Sequence, residues 1–285
     1  MPILKVILLA IIQGLAELLP VSSSAHAVVA EKLMGLDPSA PDMTLLLVML
    51  HTGTMFAVIV YFWRQWMKVY FDSMANFKRF AGRVIVATLL TGIVAEAIIK
   101  VLEKTLFKAT PHAQIEDLFS HLEIVAPALA AAGILILIAG IAKRNVSQVE
   151  ITEAPEITMG QASAIGFVQG LCLPFRGFSR SGATISTGML AGAARSRAEA
   201  FSFALAVVLT PAVVGREALR LKHAGIPAGG SPVMLSVLGM VFAFLAGLVA
   251  LKWLSQWLES GKWYLFGIYC LVASVVVFVL HQHGY

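Results

Sequence analysis

Three observations predict an all-α, polytopic membrane fold: the apolar content, a series of helix-length segments almost free of charge, and two prolines that break such segments at matching points of the two halves. Of 285 residues, 59% are hydrophobic and 13% charged, and the mean hydropathy is +0.85. Soluble domains do not reach that balance. The net charge of +5 comes from basic residues scattered through short connections, without the basic stripe that nucleic-acid binding uses. Nucleic acid is therefore excluded as a partner, and the positive loops report membrane orientation instead. Cys172 and Cys270 stand alone in apolar segments, so neither a disulfide framework nor a zinc site is supported.

Residues 3–19 form an apolar segment that stops at Pro20, and Ser22-Ser23-Ser24 restarts a short helix to about Gly35. About 20 residues are needed to cross ~30 Å of hydrocarbon, so the proline-broken pair reads as a re-entrant hairpin. Lys5, the apolar run and Ala25-His26-Ala27 imitate a signal peptide. Gln13 and Glu17 interrupt that run, and the segment is expected to be retained. Spans are expected over 43–62, 84–102 and 122–142, separated by a basic loop at 64–83 and a mixed-charge connection at 103–121.

The polar connection 143–157 divides the chain nearly in half, and the pattern then begins again. An apolar piece at 158–173, Pro174, a Ser/Gly stretch and a short helix over 182–194 precede spans at 198–216, 232–252 and 263–281. Gln13-Gly14-Leu15 stands before Pro20 as Gln169-Gly170-Leu171 stands before Pro174. The expectation is one integral-membrane domain of two pseudo-repeats, about 1–142 and 158–281, with about six transmembrane helices and two re-entrant pairs. An odd number of spans between the broken pairs makes the repeat inverted in topology, with its polar site near the midplane. The face with Arg64, Lys68, Lys78, Arg79 and Arg83 holds the larger share of basic residues and is cytoplasmic by the positive-inside rule.

The chemistry-bearing residues fall in the two breaks. Gln13 and Glu17 share one helical face, with His26 one short helix further on. In the second break, Gly177-Phe178-Ser179-Arg180-Ser181-Gly182-Ala183-Thr184 puts a guanidinium, hydroxyls and glycines inside a lipid-adapted chain. A charge at the bilayer centre costs about 2.5–3.5 kcal/mol on insertion scales, so Glu17, His26 and Arg180 each need a partner or a task. Read blandly, Glu17 pairs with Arg180 to pack helices and His26 is a satisfied core histidine. Read functionally, they form a phosphoryl-transfer inventory. Arg180 grips a phosphate bidentately, Ser179, Ser181, Thr184, Ser22 and Ser24 donate to its oxygens, and Gly177 and Gly182 let backbone N–H groups approach. Glu17 suits a hard divalent cation, Mg²⁺ or Ca²⁺.

Gln13-x-x-x-Glu17 leading into Pro20-Val21-Ser22-Ser23-Ser24-Ala25-His26, with Gly177 to Thr184, resembles the undecaprenyl-diphosphatase family, also called the bacitracin-resistance proteins. That family's signatures are an (E/Q)xxxE segment and a PGxSRSxxT segment, and the resemblance covers essentially the full chain. It implies an enzyme of the bacterial cytoplasmic membrane; a site facing the periplasm is the expectation here, and an inverted repeat can present it to either face. The expected reaction removes the terminal phosphate of undecaprenyl diphosphate, depends on a divalent metal and recycles the cell-wall lipid carrier. It implies Glu17 as the essential carboxylate, Ser23 and His26 as candidate nucleophile or base, and Arg180 as the diphosphate ligand, with Gln13 beside them. Partners expected are the lipid substrate, membrane lipid and a second copy of the chain as a homodimer. Two departures stand out: Gln13 occupies the first acidic position, and Arg176 stands where the family has proline. A lipid flippase using the same anion site is the competing reading.

Overall fold

The computed structural model describes residues 2–36, 41–106, 122–143, 150–223 and 231–283. They form ten helices: α1 Ile3–Leu18, α2 Ser23–Leu33, α3 Pro41–Val69, α4 Met74–Leu106, α5 Leu122–Ala142, α6 Met159–Cys172, α7 Arg180–Leu190, α8 Arg195–His223, α9 Ser231–Glu259 and α10 Tyr264–Gln282. The all-α expectation holds. Five of the helices (α3, α4, α5, α9 and α10) are long and apolar enough to cross a membrane. The sixth expected span, 198–216, lies on α8, whose first turns carry Arg195, Arg197 and Glu199, and α8 is not among the five.

The expected basic loop at 64–83 is mostly helix. α3 continues to Val69 and α4 starts at Met74. Lysine and arginine are good helix formers, so the helices run past the apolar windows and leave a four-residue connection. Most of the expected connection at 103–121, and residues 144–149 of the polar one, lie outside the described residues.

The outer faces are apolar, as a lipid solvent requires. Ile85, Leu89 and Ile93, at helical spacing on α4, are all more than half exposed, as are Val272 and Val276 on α10. Inside, the two halves interdigitate. α1 packs on α9 of the second half, α6 packs on α4 of the first, and α5 lies along α10. The glycines of the repeated Gln-Gly-Leu triplets explain the first two contacts. A Cβ on Gly14 would lie 2.7 Å from Ala243 O of α9, and one on Gly170 would lie 2.8 Å from Thr91 O of α4. Small residues let membrane helices approach this closely.

Both breaks follow local rules. Leu19, before Pro20, is extended (φ −74°, ψ 150°) as a pre-proline residue must be, which ends α1. Ser22 then takes φ 67°, the one positive φ among the described non-glycine residues, and its hydroxyl caps α2 by accepting from Ala25 N. Ser179 caps α7 likewise, accepting from Gly182 N. Gly177 has φ +98°, and any Cβ there would collide with Val125 O of α5. Gly177→Ala is therefore expected to destabilise the protein by about 1–3 kcal/mol from backbone strain alone. Thermal unfolding of the purified protein in detergent checks this.

Candidate active site

The two breaks meet. Gly177 N donates to Ser24 Oγ (3.2 Å) and Ser181 Oγ donates to Leu19 O (3.3 Å), so the turn after α1 and the turn before α7 are stitched together. The charged groups complete the seam. Arg180 Nη2 donates to Glu17 Oε1 at 2.8 Å, and Ser23 Oγ donates to Glu17 Oε2 at 2.5 Å. Gln13 Nε2 donates to the same Oε2 at 3.1 Å. Glu17 and Arg180 keep only 14% and 22% of their side-chain surface exposed. At that burial neither charge is tolerable alone, and each satisfies the other.

These groups border a cavity of about 310 Å³. α1 supplies Gln13 and Glu17, and the first turn of α2 supplies Ser22, Ser23 and Ser24. The turn between α6 and α7 supplies Arg176, Ser179, Arg180 and Ser181. Three further lining residues carry chemistry that lay outside the motif reading or at its margin: His51 of α3, Glu31 of α2 and Arg176. His51 Nε2 lies 3.3 Å from Gln13 Nε2 and 3.7 Å from Glu17 Oε2. Both carboxylate oxygens of Glu31 are buried without a hydrogen-bond partner.

His26 is not brought into this cavity. Its Nδ1 lies 2.8 Å from Ser22 O, which can only accept, so that nitrogen carries the proton. The neutral ring then presents a bare Nε2, and that nitrogen receives the Tyr269 hydroxyl at 2.6 Å. The rings stack at 5.7 Å, and both line an apolar groove of about 560 Å³ between α1, α2 and α10. Ser23 donates to Glu17, not to His26. Three of the expected phosphate donors are, like Ser181, committed elsewhere. Thr184 Oγ1 donates to Arg180 O (2.8 Å) and lies 3.3 Å from Ser181 O, while the Gly177 and Gly182 amides donate to Ser24 Oγ and Ser179 Oγ.

The halves are not equivalent at the site. Gln169, the counterpart of Gln13, donates to Thr91 Oγ1 of α4 at 3.1 Å and serves helix packing. Four residues after it stands Leu173, where four after Gln13 stands Glu17. The second half has a break of its own, without a carboxylate at that position.

A model of the family described as "Bacitracin resistance protein BacA" matches residues 6–276. The chain belongs to the BacA family. Among curated BacA-type relatives, undecaprenyl-diphosphatase 2 of Acinetobacter baylyi is 56% identical over 98% of both chains. The undecaprenyl-diphosphatase of Halothermothrix orenii is 33% identical over 98% of both. Undecaprenyl-diphosphatase 1 of Clostridioides difficile is 32% identical, with 96% of this chain and 94% of its own covered. The matched range of the BacA family includes both residues 13–26 and residues 177–184. Membership makes the chain a multi-pass protein of a bacterial membrane type, in keeping with the five span-length helices.

Proposed function

We propose that the chain hydrolyses undecaprenyl diphosphate to undecaprenyl phosphate and inorganic phosphate in the cavity between the two broken helices. One observation carries the mechanism: Ser23 Oγ, Glu17 and Arg180 form a chain of contacts of 2.5 and 2.8 Å at the wall of a polar cavity. The substrate's name comes from relatives called undecaprenyl-diphosphatase, including one 56% identical.

In this reading Ser23 attacks the terminal phosphorus and passes its proton to Glu17 Oε2, undecaprenyl phosphate leaves, and a phosphoseryl group remains on Ser23. The short Ser23–Glu17 contact favours serine over His26, whose ring nitrogens are both engaged outside the cavity. Arg180 neutralises charge on the transferring group, the Ser179 hydroxyl donates to its oxygens, and Arg176 lines the same wall. His26 acts through Ser22, by holding its carbonyl. The polyprenyl tail lies along the apolar groove, which shares the first turn of α2 with the cavity.

Glu17 is the carboxylate at the junction, and no group of three His, Cys, Asp or Glu among the described residues could hold a metal. That donor set does not make a resident cage. It does fit Mg²⁺ or Ca²⁺ carried in with the diphosphate, because Mg²⁺ commonly takes one or two carboxylates and completes its shell with phosphate oxygens and water. Glu17 would hold such a cation, which would supply positive charge to the phosphate oxygens.

The interdigitated contacts and the paired glycines support an inverted repeat with re-entrant α1–α2 and α6–α7. The basic end of α3 supports orientation. Lys68 lies 17 residues, about 25 Å of helix, beyond His51. With Lys68 at the cytoplasmic surface, the cavity sits in the outer half of the membrane and opens to the periplasm.

A flippase reading draws on the same broken-helix architecture. Reconstitution in vesicles with Mg²⁺, measuring phosphate release and transbilayer movement of undecaprenyl diphosphate together, separates the two. Release is expected from lipid in one leaflet without movement. Movement without release sinks the phosphatase reading.

A further inference from the structure

We propose that His51 is the proton acceptor for the water that completes the reaction, a catalytic residue outside both signature segments. The proposal rests on the phosphoseryl reading above.

His51 sits on α3, with Nδ1 2.8 Å from Leu47 O. A carbonyl cannot donate, so Nδ1 carries the proton of the neutral ring and Nε2 bears the lone pair. Nε2 points at the seam, 3.3 Å from Gln13 Nε2 and 3.7 Å from Glu17 Oε2. The side chain is 39% exposed, and it lines the polar cavity. His26 has the same tautomer, but Tyr269 occupies its Nε2 beside the apolar groove. Of these two imidazoles, His51 is the one that lines the polar cavity, and its Nε2 is held there by a side-chain amide at 3.3 Å where His26 Nε2 is held by a hydroxyl at 2.6 Å.

A glutamine at position 13 fits this arrangement better than a glutamate would. Its NH₂ group has two hydrogens, one for Glu17 Oε2 at 3.1 Å and one for His51 Nε2 at 3.3 Å. An ionised glutamate donates neither. The amide therefore orients the carboxylate and the imidazole together, and its long 3.3 Å contact to Nε2 is the one that the attacking water displaces.

Water oxygen attacks the phosphoseryl phosphorus while its proton passes to His51 Nε2. The P–Oγ bond breaks, and Ser23 Oγ recovers the proton held on Glu17. Inorganic phosphate leaves, and the imidazolium returns its proton to solvent.

The test uses full-length purified protein, undecaprenyl diphosphate labelled in the terminal phosphate, and Mg²⁺, with wild type, His51→Gln and His51→Ala. Wild-type release establishes the phosphatase reading, and its absence overturns that reading separately from this one. His51→Gln is expected to form undecaprenyl phosphate in a rapid first turnover and to accumulate label on Ser23. Its steady phosphate release should fall about 10²-fold, the scale of a lost general base. Added imidazole is expected to restore release in His51→Ala several-fold, which a misfolded protein would not show. Release by His51→Gln within twofold of an active wild type overturns the role of His51. So does slowed release with no label on Ser23 and no rescue.

Discussion

Glu17→Gln is expected to cut phosphate release by about 10²–10⁴-fold, the range for losing a positioned base. The substitution keeps side-chain shape and an oxygen for Arg180, but removes the acceptor that faces Ser23 Oγ at 2.5 Å. Because Arg180 is no longer ion-paired to residue 17, its guanidinium is freer to hold the substrate phosphate. The loss should therefore appear in kcat, with KM unchanged or lowered. A purely structural Glu17 predicts instead that stability and activity fall together. Comparing kcat, KM and thermal unfolding of the variant with wild type decides between them.

Arg180→Lys is the second large effect, with an expected loss of about 10²–10³-fold in kcat/KM, comparable to removing one oxyanion donor. Lysine preserves the charge beside Glu17, so the buried carboxylate is not left alone and the fold should hold. What it lacks is the planar fork that reaches a carboxylate and a phosphate at the same time. Steady-state kinetics of the purified variant, alongside its elution profile in detergent, check both halves of the expectation.

The helices, the breaks and the meeting of residues 13–26 with 177–184 were legible because each follows a local rule. Pro20 ends α1, Ser22 and Ser179 cap the next helices, and charges in an apolar chain seek each other. Glu17 and Arg180 do so at 2.8 Å. The cavity's other walls were not legible. His51 is a lone histidine in an apolar span with no motif around it, and only its position opposite Gln13 gives it chemistry. Glu31 lies on α2 beyond the signature, and its burial in the cavity wall depends on how α2 packs. Ser23 and His26 were expected together, as nucleophile or base. A contact from α10, remote in sequence, turned the ring toward Tyr269 instead. The loop expected at 64–83 failed for another reason: charge density marks where a helix leaves lipid, not where it stops.

The most direct test is the stoichiometry of turnover by purified wild-type protein in detergent with Mg²⁺, where no second compartment exists for transport. The expected result is one inorganic phosphate and one undecaprenyl phosphate per undecaprenyl diphosphate consumed, with both products lost together in Glu17→Gln and Arg180→Lys. Consumption that survives both substitutions, or wild-type protein that binds the lipid without releasing phosphate, would contradict a catalytic site at the Glu17–Arg180 seam.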